Sequence, residues 1–545
     1  MQLNKHNKKF KILIIAPKYS LTEDRFYTYY FPMSLAYIIS VLKKQGYEVD
    51  VLNLNHHNGT IKEIIERKLD KRKYDFVCTG GMAIFYSIIE KMLKTIRSHH
   101  SNPKIILGGL ILTSEKEFIS KHLDFDYGII NEGEETIINL LKCLENKKDL
   151  SKVKGIVYFN ENKPVFTPDS KPPMNLDKIP FPDVEALEYE EWLDNQIPNK
   201  SYVFSLFDQP RMYDVVGSRS CPYQCTFCYH YSSLYRKRSI ENIFLELRDV
   251  VKKYGINLLF FYDECLAVDR KRLKDICENL KQLQREIGWE LKWIPNLRVD
   301  LITDEMLAML KDSNCAMIGY GLESYSPEIL KSMNKGITPH QIDVAIKKTL
   351  SAGIGLMSSF ILGDIAETNA TASTTLDYWE KHCEDQINLD FVRPYPKSKL
   401  YEYCIKNGII RDKLKFMKDL IKEDDFAIKM AKNMTDSEFN KLKSRVQESI
   451  SKHRKIAKNL SIKKTSRGIY EINVKCPFCK ETITYGNCHI PNRYNFSFTV
   501  RCRKCPKRFY IASSLRKLAL RNYKIAKYIK NFNKRLRNSI KEKMI

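Results

Sequence analysis

The sequence predicts an α/β protein: an open, doubly wound parallel sheet, then a partial βα barrel, a helical region and a small four-cysteine segment. Two series of short apolar strands alternate with amphipathic helices, and a stretch punctuated by Pro and Asp, "TPDSKPPMNLDKIPFPDVEAL", separates them. Two CxxC pairs lie close together near the C-terminus. A chain of 545 residues exceeds one compact core, and its apolar fraction of 43% is ordinary for globular protein. The expected divisions are 1–150, a linker 151–205, a barrel 206–410, a helical extension 411–469, a cysteine segment 470–512 and a basic tail 513–545.

The first series begins with "KILIIAP", a short buried-strand run, followed by a helical pattern over "FPMSLAYIISVLKKQGY" and the strand "EVDVLNL". Strands follow at "DFVCTGG", "PKIILGG" and "DYGIINEG", with helices such as "FYSIIEKMLKTIRSHH" between them. Glycines follow three strand ends, at Gly80–Gly81, Gly108–Gly109 and Gly133. Ligands of such sheets bind beyond the carboxyl ends of the strands, although the glycines taken alone favour plain turn chemistry. The N-terminal "MQLNKHNKKFKILIIAPKYS" has positive charge and a short apolar run but no small-residue cleavage site, so a cytoplasmic protein is expected.

The second series begins at "MYDVVGSRSC" and continues through "NLLFFYDE", "LKWIPNLRVD", "AMIGYGLES", "LMSSFILGD" and "LDFVRPYP". Helical stretches such as "ENIFLELRDVVKKY" and "TPHQIDVAIKKTLSAG" intervene. Six such units predict a partial or full barrel, whose chemistry belongs at the C-terminal strand ends. Its unusual polar residues, Asp263 and Glu264 among them, fall at those ends.

Near the C-terminus Cys476 and Cys479, then Cys502 and Cys505, form two knuckles separated by 22 residues. That spacing suits a four-thiolate zinc ribbon, which staples a fold too small to carry its own core. Cys488 and His489 are surplus and are expected in the hairpin loop. The formal charge is +26, and from Lys507 to Ile545 the only acid is Glu542. Leu518, Ile525, Ile529, Phe532 and Leu536 recur there at helical spacing. The tail reads as a solvated helix face, or as a surface for nucleic acid or an anionic membrane. No apolar run approaches the roughly 18–20 residues of a membrane span.

"GSRSCPYQCTFCYH" places Cys221, Cys225 and Cys228 within eight positions, just after a strand. Fifteen cysteines in a cytoplasmic chain favour metal or redox chemistry over disulfides. Three thiolates at this spacing reach three irons of a cubane cluster; a zinc site would recruit a fourth ligand such as His230.

This loop resembles the CxxxCxΦC signature of the radical S-adenosylmethionine (SAM) superfamily, with Phe227 at the aromatic position. The resemblance implies a [4Fe-4S] cluster whose fourth iron is chelated by SAM, and reductive cleavage of SAM to a 5′-deoxyadenosyl radical. "GYGLESYSPEILKSMNKG" resembles the family's segment carrying a SAM ribose contact, which falls on Glu323, with Tyr325 in place of a common glycine. "FILGDIAET" resembles the GxPGET segment, implying Gly363 near the adenine and Glu367 at a helix start, with Asp364, Ile365 and Ala366 as departures. Arg298 either pairs with the SAM carboxylate or makes a barrel salt bridge with Asp300 or Asp263.

Residues 10–150, placed directly before the barrel, resemble the cobalamin-binding domain of B12-dependent radical SAM enzymes. The resemblance implies that Gly108 and Gly109 admit the cobalamin tail, although Leu110 stands where relatives often carry Pro-His and no DxHxxG motif is present. It ranks methyl transfer to a small-molecule, lipid or glycan precursor first. The alternatives are a radical cyclisation or rearrangement without methyl transfer, and a nucleic-acid-binding or RNA-modifying protein. A reductant such as flavodoxin or ferredoxin is implied. Only Cys78 and Cys143 precede the barrel, so the additional N-terminal cluster cysteines of the methylthiotransferases are missing.

Overall fold

A computed structural model of the chain describes residues 9–20, 22–229, 232, 234–421, 427–523 and 525. His230 and most of the basic tail, including Ile529, Phe532 and Leu536, lie outside the described residues. The first sheet contains β1 (Lys11–Ala16), β2 (Glu48–Asn53), β3 (Phe76–Gly80), β4 (Lys104–Gly108) and β5 (Tyr127–Ile129), all parallel, in the order β2-β1-β3-β4-β5. Around it run α1 (Met33–Lys44), α2 (Ile61–Lys71), α3 (Tyr86–Ser98), α4 (Leu110–Ser114), α5 (Lys116–His122) and α6 (Glu134–Glu145). Ile12 to Ala16 are fully buried, as a strand covered on both faces requires. Thr60 and Glu63 cap α2 reciprocally. The order reverses between β1 and β3, and the carboxyl ends of strands at such a switch point form a ligand crevice.

The stretch read as a linker carries two more strands. β6 (Ile156–Asn160) and β7 (Lys163–Phe166) extend the sheet antiparallel from β5. Glu161 and Asn162, at φ 48° and 62°, join them in the doubly left-handed geometry of a type I′ hairpin. "EN" is a weak turn signal beside Asn-Gly, so the hairpin did not stand out in the sequence. Only after it does the chain run irregularly to α7 (Tyr189–Asp194).

The second series opens with β8 (Met212–Val215) and a two-residue ladder, β9 (Ser218–Arg219) with β10 (Arg236–Lys237). It continues through α8 (Ile240–Tyr254), β11 (Leu258–Phe261), α9 (Arg270–Ile287), β12 (Lys292–Ile294), β13 (Asn296–Leu297), α10 (Asp304–Asp312) and β14 (Met317–Glu323). Then come α11 (Pro327–Ser332), α12 (Pro339–Ser351), β15 (Gly355–Leu356), β16 (Ser359–Leu362), α13 (Asn369–His382), β17 (Asn388–Phe391) and α14 (Lys399–Lys406). Parallel pairing runs β8–β11–β12 and β13–β14–β16–β17, with a Trp293–Cys315 bridge between the two runs. This is the expected partial barrel. Pro295, which has no N–H to give a ladder, separates β12 from β13.

The C-terminal part comprises α15 (Lys413–Asp419), α16 (Asp436–His453), β18 (Lys458–Ser466), β19 (Ile469–Lys475), β20 (Thr482–His489), β21 (Ser497–Arg501), β22 (Arg508–Ala512) and α17 (Ser514–Arg521). The region expected to be helical to 469 therefore ends in a strand. β18 is an edge strand whose lysines give it a charged, non-alternating look. Cys488 and His489 end β20 rather than occupying a loop, and Cys488 is fully buried in the ribbon core.

The chain forms two compact units. One takes Met1–Asn195, Gly217–Glu246 and Arg393–Phe426; the other takes Gln196–Val216, Leu247–Val392 and Ala427–Ile545. Within the second unit the ribbon seats on the amino-terminal side of the barrel strands. Arg508 donates through Nε to the Asp385 carbonyl (2.8 Å) and exchanges bonds with Gln386, just before β17. Arg503 donates to the Ser205 carbonyl and to Asp208, ahead of β8. The buried Arg501 guanidinium packs on Gly355, where its Nη2 would stand 2.8 Å from any added Cβ.

Candidate active site

The central cysteines lie on the loop that leaves β8, closed at its base by the β9–β10 ladder and by a bond from the Arg238 amide to the Gly217 carbonyl (2.9 Å). Cys225 is buried, Cys221 and Cys228 are half-buried, and none forms a disulfide. The Cys228 amide donates to the Cys225 carbonyl at 3.2 Å, a turn that wraps the loop, and the Leu400 amide donates to the Thr226 carbonyl at 2.9 Å. Phe227 is half-buried between them. Among the described residues, the four ribbon cysteines gather their sulfurs within 4.8 Å of one another, and the three loop cysteines are not in any such set. A lone ion needs converging sulfurs, whereas thiolates on separate irons of a cubane stand apart. The donor set fits a cluster with one iron left for a small-molecule chelator.

Glu323 ends β14, buried, with φ 61°, a left-handed conformation uncommon for a residue with a Cβ. Its Oε1 accepts from Lys335 Nζ at 2.8 Å. Gly321 makes room for this pair, because a Cβ there would lie 2.6 Å from the same oxygen. Arg298 holds Asp300 (Nε to Oδ1 3.1 Å, Nη2 to Oδ2 3.0 Å) and donates to the Lys335 and Gly336 carbonyls at 3.3 Å. The Arg298–Asp300 pair is a barrel salt bridge. Asn296 Nδ2 donates to the Asp263 carbonyl at 3.2 Å; Asp263 is buried and Glu264 exposed.

Gly363 ends β16's turn at φ 93°, and its amide donates to Glu367 Oε2 at 2.9 Å. Burial pushes the Glu367 carboxyl above the usual carboxylate range, while Thr371 and the Gly363 amide pull the other way. The departures from the family pattern have local explanations. Asp364 accepts from the Ser332 hydroxyl (2.5 Å) and the Ala366 amide (2.9 Å), closing the turn by side chain. Tyr325 stacks on Tyr378 of α13, centroids 3.6 Å apart and planes 8° apart.

In the first unit the glycine pairs prove interlocked. A Cβ on Gly109 (φ 83°) would lie 2.8 Å from the Gly81 amide, and one on Gly80 would collide with the Gly108 carbonyl. These positions need glycine for each other, whatever binds beside them. Gly108 differs: the nearest atom to an added Cβ is Ile129 Cβ at 3.9 Å, so its outer side is open. Gly109→Ala is expected to cost about 2 kcal/mol or more, from the left-handed backbone and the clash together. Gly108→Ala is expected to stay within about 0.5 kcal/mol of the parent in urea unfolding.

Sequence reading did not single out Lys335, Asn296 or the acidic pair Glu132 and Glu134. Glu132 accepts from Arg219 (2.8 Å) and pairs with Arg236, and Arg219 reaches Glu134 at 2.6 Å. Burial works against the Arg219 charge, but Glu134 and Glu132 outweigh it and raise its pKa.

Residues 215–378 match the radical SAM superfamily, and residues 23–141 match the B12 binding domain. The chain thus carries both domains, in the expected order. It is 27% identical over 385 residues to the uncharacterized methyltransferase PH0819 of Pyrococcus horikoshii, spanning 70% of this chain and 79% of that protein. It is also 27% identical over 404 residues to the anaerobic magnesium-protoporphyrin IX monomethyl ester cyclase of Rubrivivax gelatinosus, spanning 72% and 69% of the two chains. Among solved structures, the radical SAM methyltransferase TsrM of Kitasatospora setae, with cobalamin and a [4Fe-4S] cluster bound, superposes with a TM-score of 0.59 at 15% identity. That match covers 73% of this chain and 76% of TsrM. The cobalamin-dependent radical enzyme OxsB gives 0.57 at 22% identity, covering 82% of this chain and 62% of OxsB. These likenesses show a shared fold.

Proposed function

We propose that this chain, in which a B12 binding domain precedes a radical SAM domain, is a cobalamin-dependent methyltransferase of a small-molecule, lipid or glycan precursor. The observation that carries the reading is the loop with Cys221, Cys225 and Cys228, three thiolates suited to a four-iron cluster, in a chain whose first domain matches the B12 binding domain. The methyltransferases among its relatives support it. When bound, the cluster with SAM supplies reductive SAM cleavage, and cobalamin supplies a transferable methyl group.

Cys221, Cys225 and Cys228 hold the cluster, with Phe227 packed inside the loop. Glu323, set by Lys335, faces the SAM ribose; Gly363 lines the adenine edge, where Glu367 fixes the turn; Arg298 holds the Lys335–Gly336 carbonyls that keep Lys335 in place. Gly108 and Gly109 border the cobalamin tail. A low-potential protein such as flavodoxin or ferredoxin supplies the electron. Glu323→Ala removes the ion pair with Lys335 and one ribose contact, and is expected to raise the KM for SAM about tenfold to a hundredfold. Glu323→Gln, which keeps a hydrogen-bonding oxygen, is expected to lose less. Steady-state kinetics of 5′-deoxyadenosine formation read both.

We also assign zinc to Cys476, Cys479, Cys502 and Cys505. Sulfurs bound tetrahedrally at about 2.3 Å stand about 3.8 Å apart. Cys476–Cys505 and Cys479–Cys502 measure 3.9 and 3.8 Å, and the Phe478, Lys504 and Cys505 amides already point at knuckle sulfurs. The seat of the ribbon on the amino-terminal side of the barrel strands, away from the ends where barrel chemistry sits, favours a structural role over substrate binding.

The cyclase relative favours a second reading, radical cyclisation without methyl transfer. Anaerobic reconstitution with iron, sulfide and cobalamin, then SAM and a strong reductant, separates the two. Methyl transfer predicts both 5′-deoxyadenosine and S-adenosylhomocysteine. 5′-Deoxyadenosine with no S-adenosylhomocysteine contradicts it.

A further inference from the structure

The acidic stretch after β5 has no part in the cofactor assignments, yet it meets the base of the cysteine loop. Arg219 of β9 and Arg236 of β10 are direct cross-strand partners in the ladder that closes this loop. Two guanidinium groups opposite each other repel, and neither is solvent-washed: the Arg236 side chain is 2% exposed and that of Arg219 18%. Glu132, 11% exposed, stands between them. Its Oε2 accepts from Arg219 Nη1 at 2.8 Å and from Arg236 Nη1 at 3.0 Å, while Oε1 takes Arg236 Nη2. Glu134, the first residue of α6, takes the other arm of Arg219 at 2.6 Å, and Tyr37 lies under that guanidinium at 5.4 Å. The Pro173 carbonyl accepts from Arg236 at 2.9 Å. Both carboxylates, Tyr37 and the loop base belong to the same compact unit.

We propose that Glu132 is a positioning residue for the cluster loop: the B12 binding domain supplies the counter-charge without which the ladder beneath Cys221, Cys225 and Cys228 opens. The loop that carries the cluster is then held by the domain that binds cobalamin. Its catalytic meaning rests on the cluster assignment above; the structural link does not.

Two variants test it, Glu132→Gln, isosteric and neutral, and Arg236→Lys, which keeps the charge and loses the fork. Hydrogen exchange on the cofactor-free protein reads the link independently of any chemistry. Both variants are expected to speed exchange across 217–238 by about tenfold or more while β1 and β11 exchange as in the parent. In reconstituted protein of equal iron content, the SAM-induced change in the electron paramagnetic resonance spectrum of the reduced cluster is expected to become partial. Glu132→Asp, which keeps the charge, is expected to restore most of it. Unchanged exchange across 217–238 in both variants overturns the proposal, and so does a loss of protection spread evenly over the chain. If exchange rises as stated but the parent shows no response to SAM, the cluster reading fails and the link stands.

Discussion

Cys225→Ala is expected to reduce 5′-deoxyadenosine formation to background while the protein remains folded. Cys225 is the middle thiol of the three and the most buried, inside a turn made by backbone bonds that its sulfur does not supply. On the proposed reading, losing it removes one of three protein ligands from a cluster that gives its fourth position to a small molecule, so no surplus ligand compensates. The loss of one small side chain from a loop is expected to cost only about 1 kcal/mol of stability. Iron content per chain, the unfolding midpoint and 5′-deoxyadenosine read these separately. Cleavage at the parent rate would remove the central loop from the mechanism.

Cys502→Ala is expected to do the reverse. Structural zinc at four thiolates contributes on the order of 10 kcal/mol to the fold of a small domain, and three thiolates retain only part of it. The ribbon core, with Val474, Tyr485, Val500 and Phe509, is small, and its strands are joined through the knuckles. Its loosening frees Arg501, Arg503 and Arg508 from their seats before β8 and β17. A chelator is expected to act on the parent in the same way. Cleavage of SAM per assembled cluster is expected to change less than about threefold, since the two sets of cysteines belong to different compact units. Equal stability of variant and parent would contradict a metal at these thiolates.

The parts legible in the sequence were those with a strong period or a fixed chemical spacing. The β1 run of apolar residues, the βα alternation and the CxxxCxxC loop each carry their own signal. The hairpin of β6 and β7 has short strands and a Glu-Asn turn, so it passed for linker. β18 is an exposed edge strand rich in lysine, and charge hid its extended form. The glycine pairs were visible, but their mutual contact was not, because a glycine needed by another backbone looks the same as one needed by a ligand. Glu132 and Arg236 are 104 positions apart. No local pattern joins them; only the fold places one carboxylate between two arginines.

An iron left open for SAM is the central requirement of the proposed reaction. Electron paramagnetic resonance of the fully loaded, reduced parent, recorded before and after SAM is added, tests this directly. The spectrum is expected to change on addition, and 5′-deoxyadenosine to accumulate on warming. A spectrum indifferent to SAM, with a full cluster and no 5′-deoxyadenosine, would contradict the account.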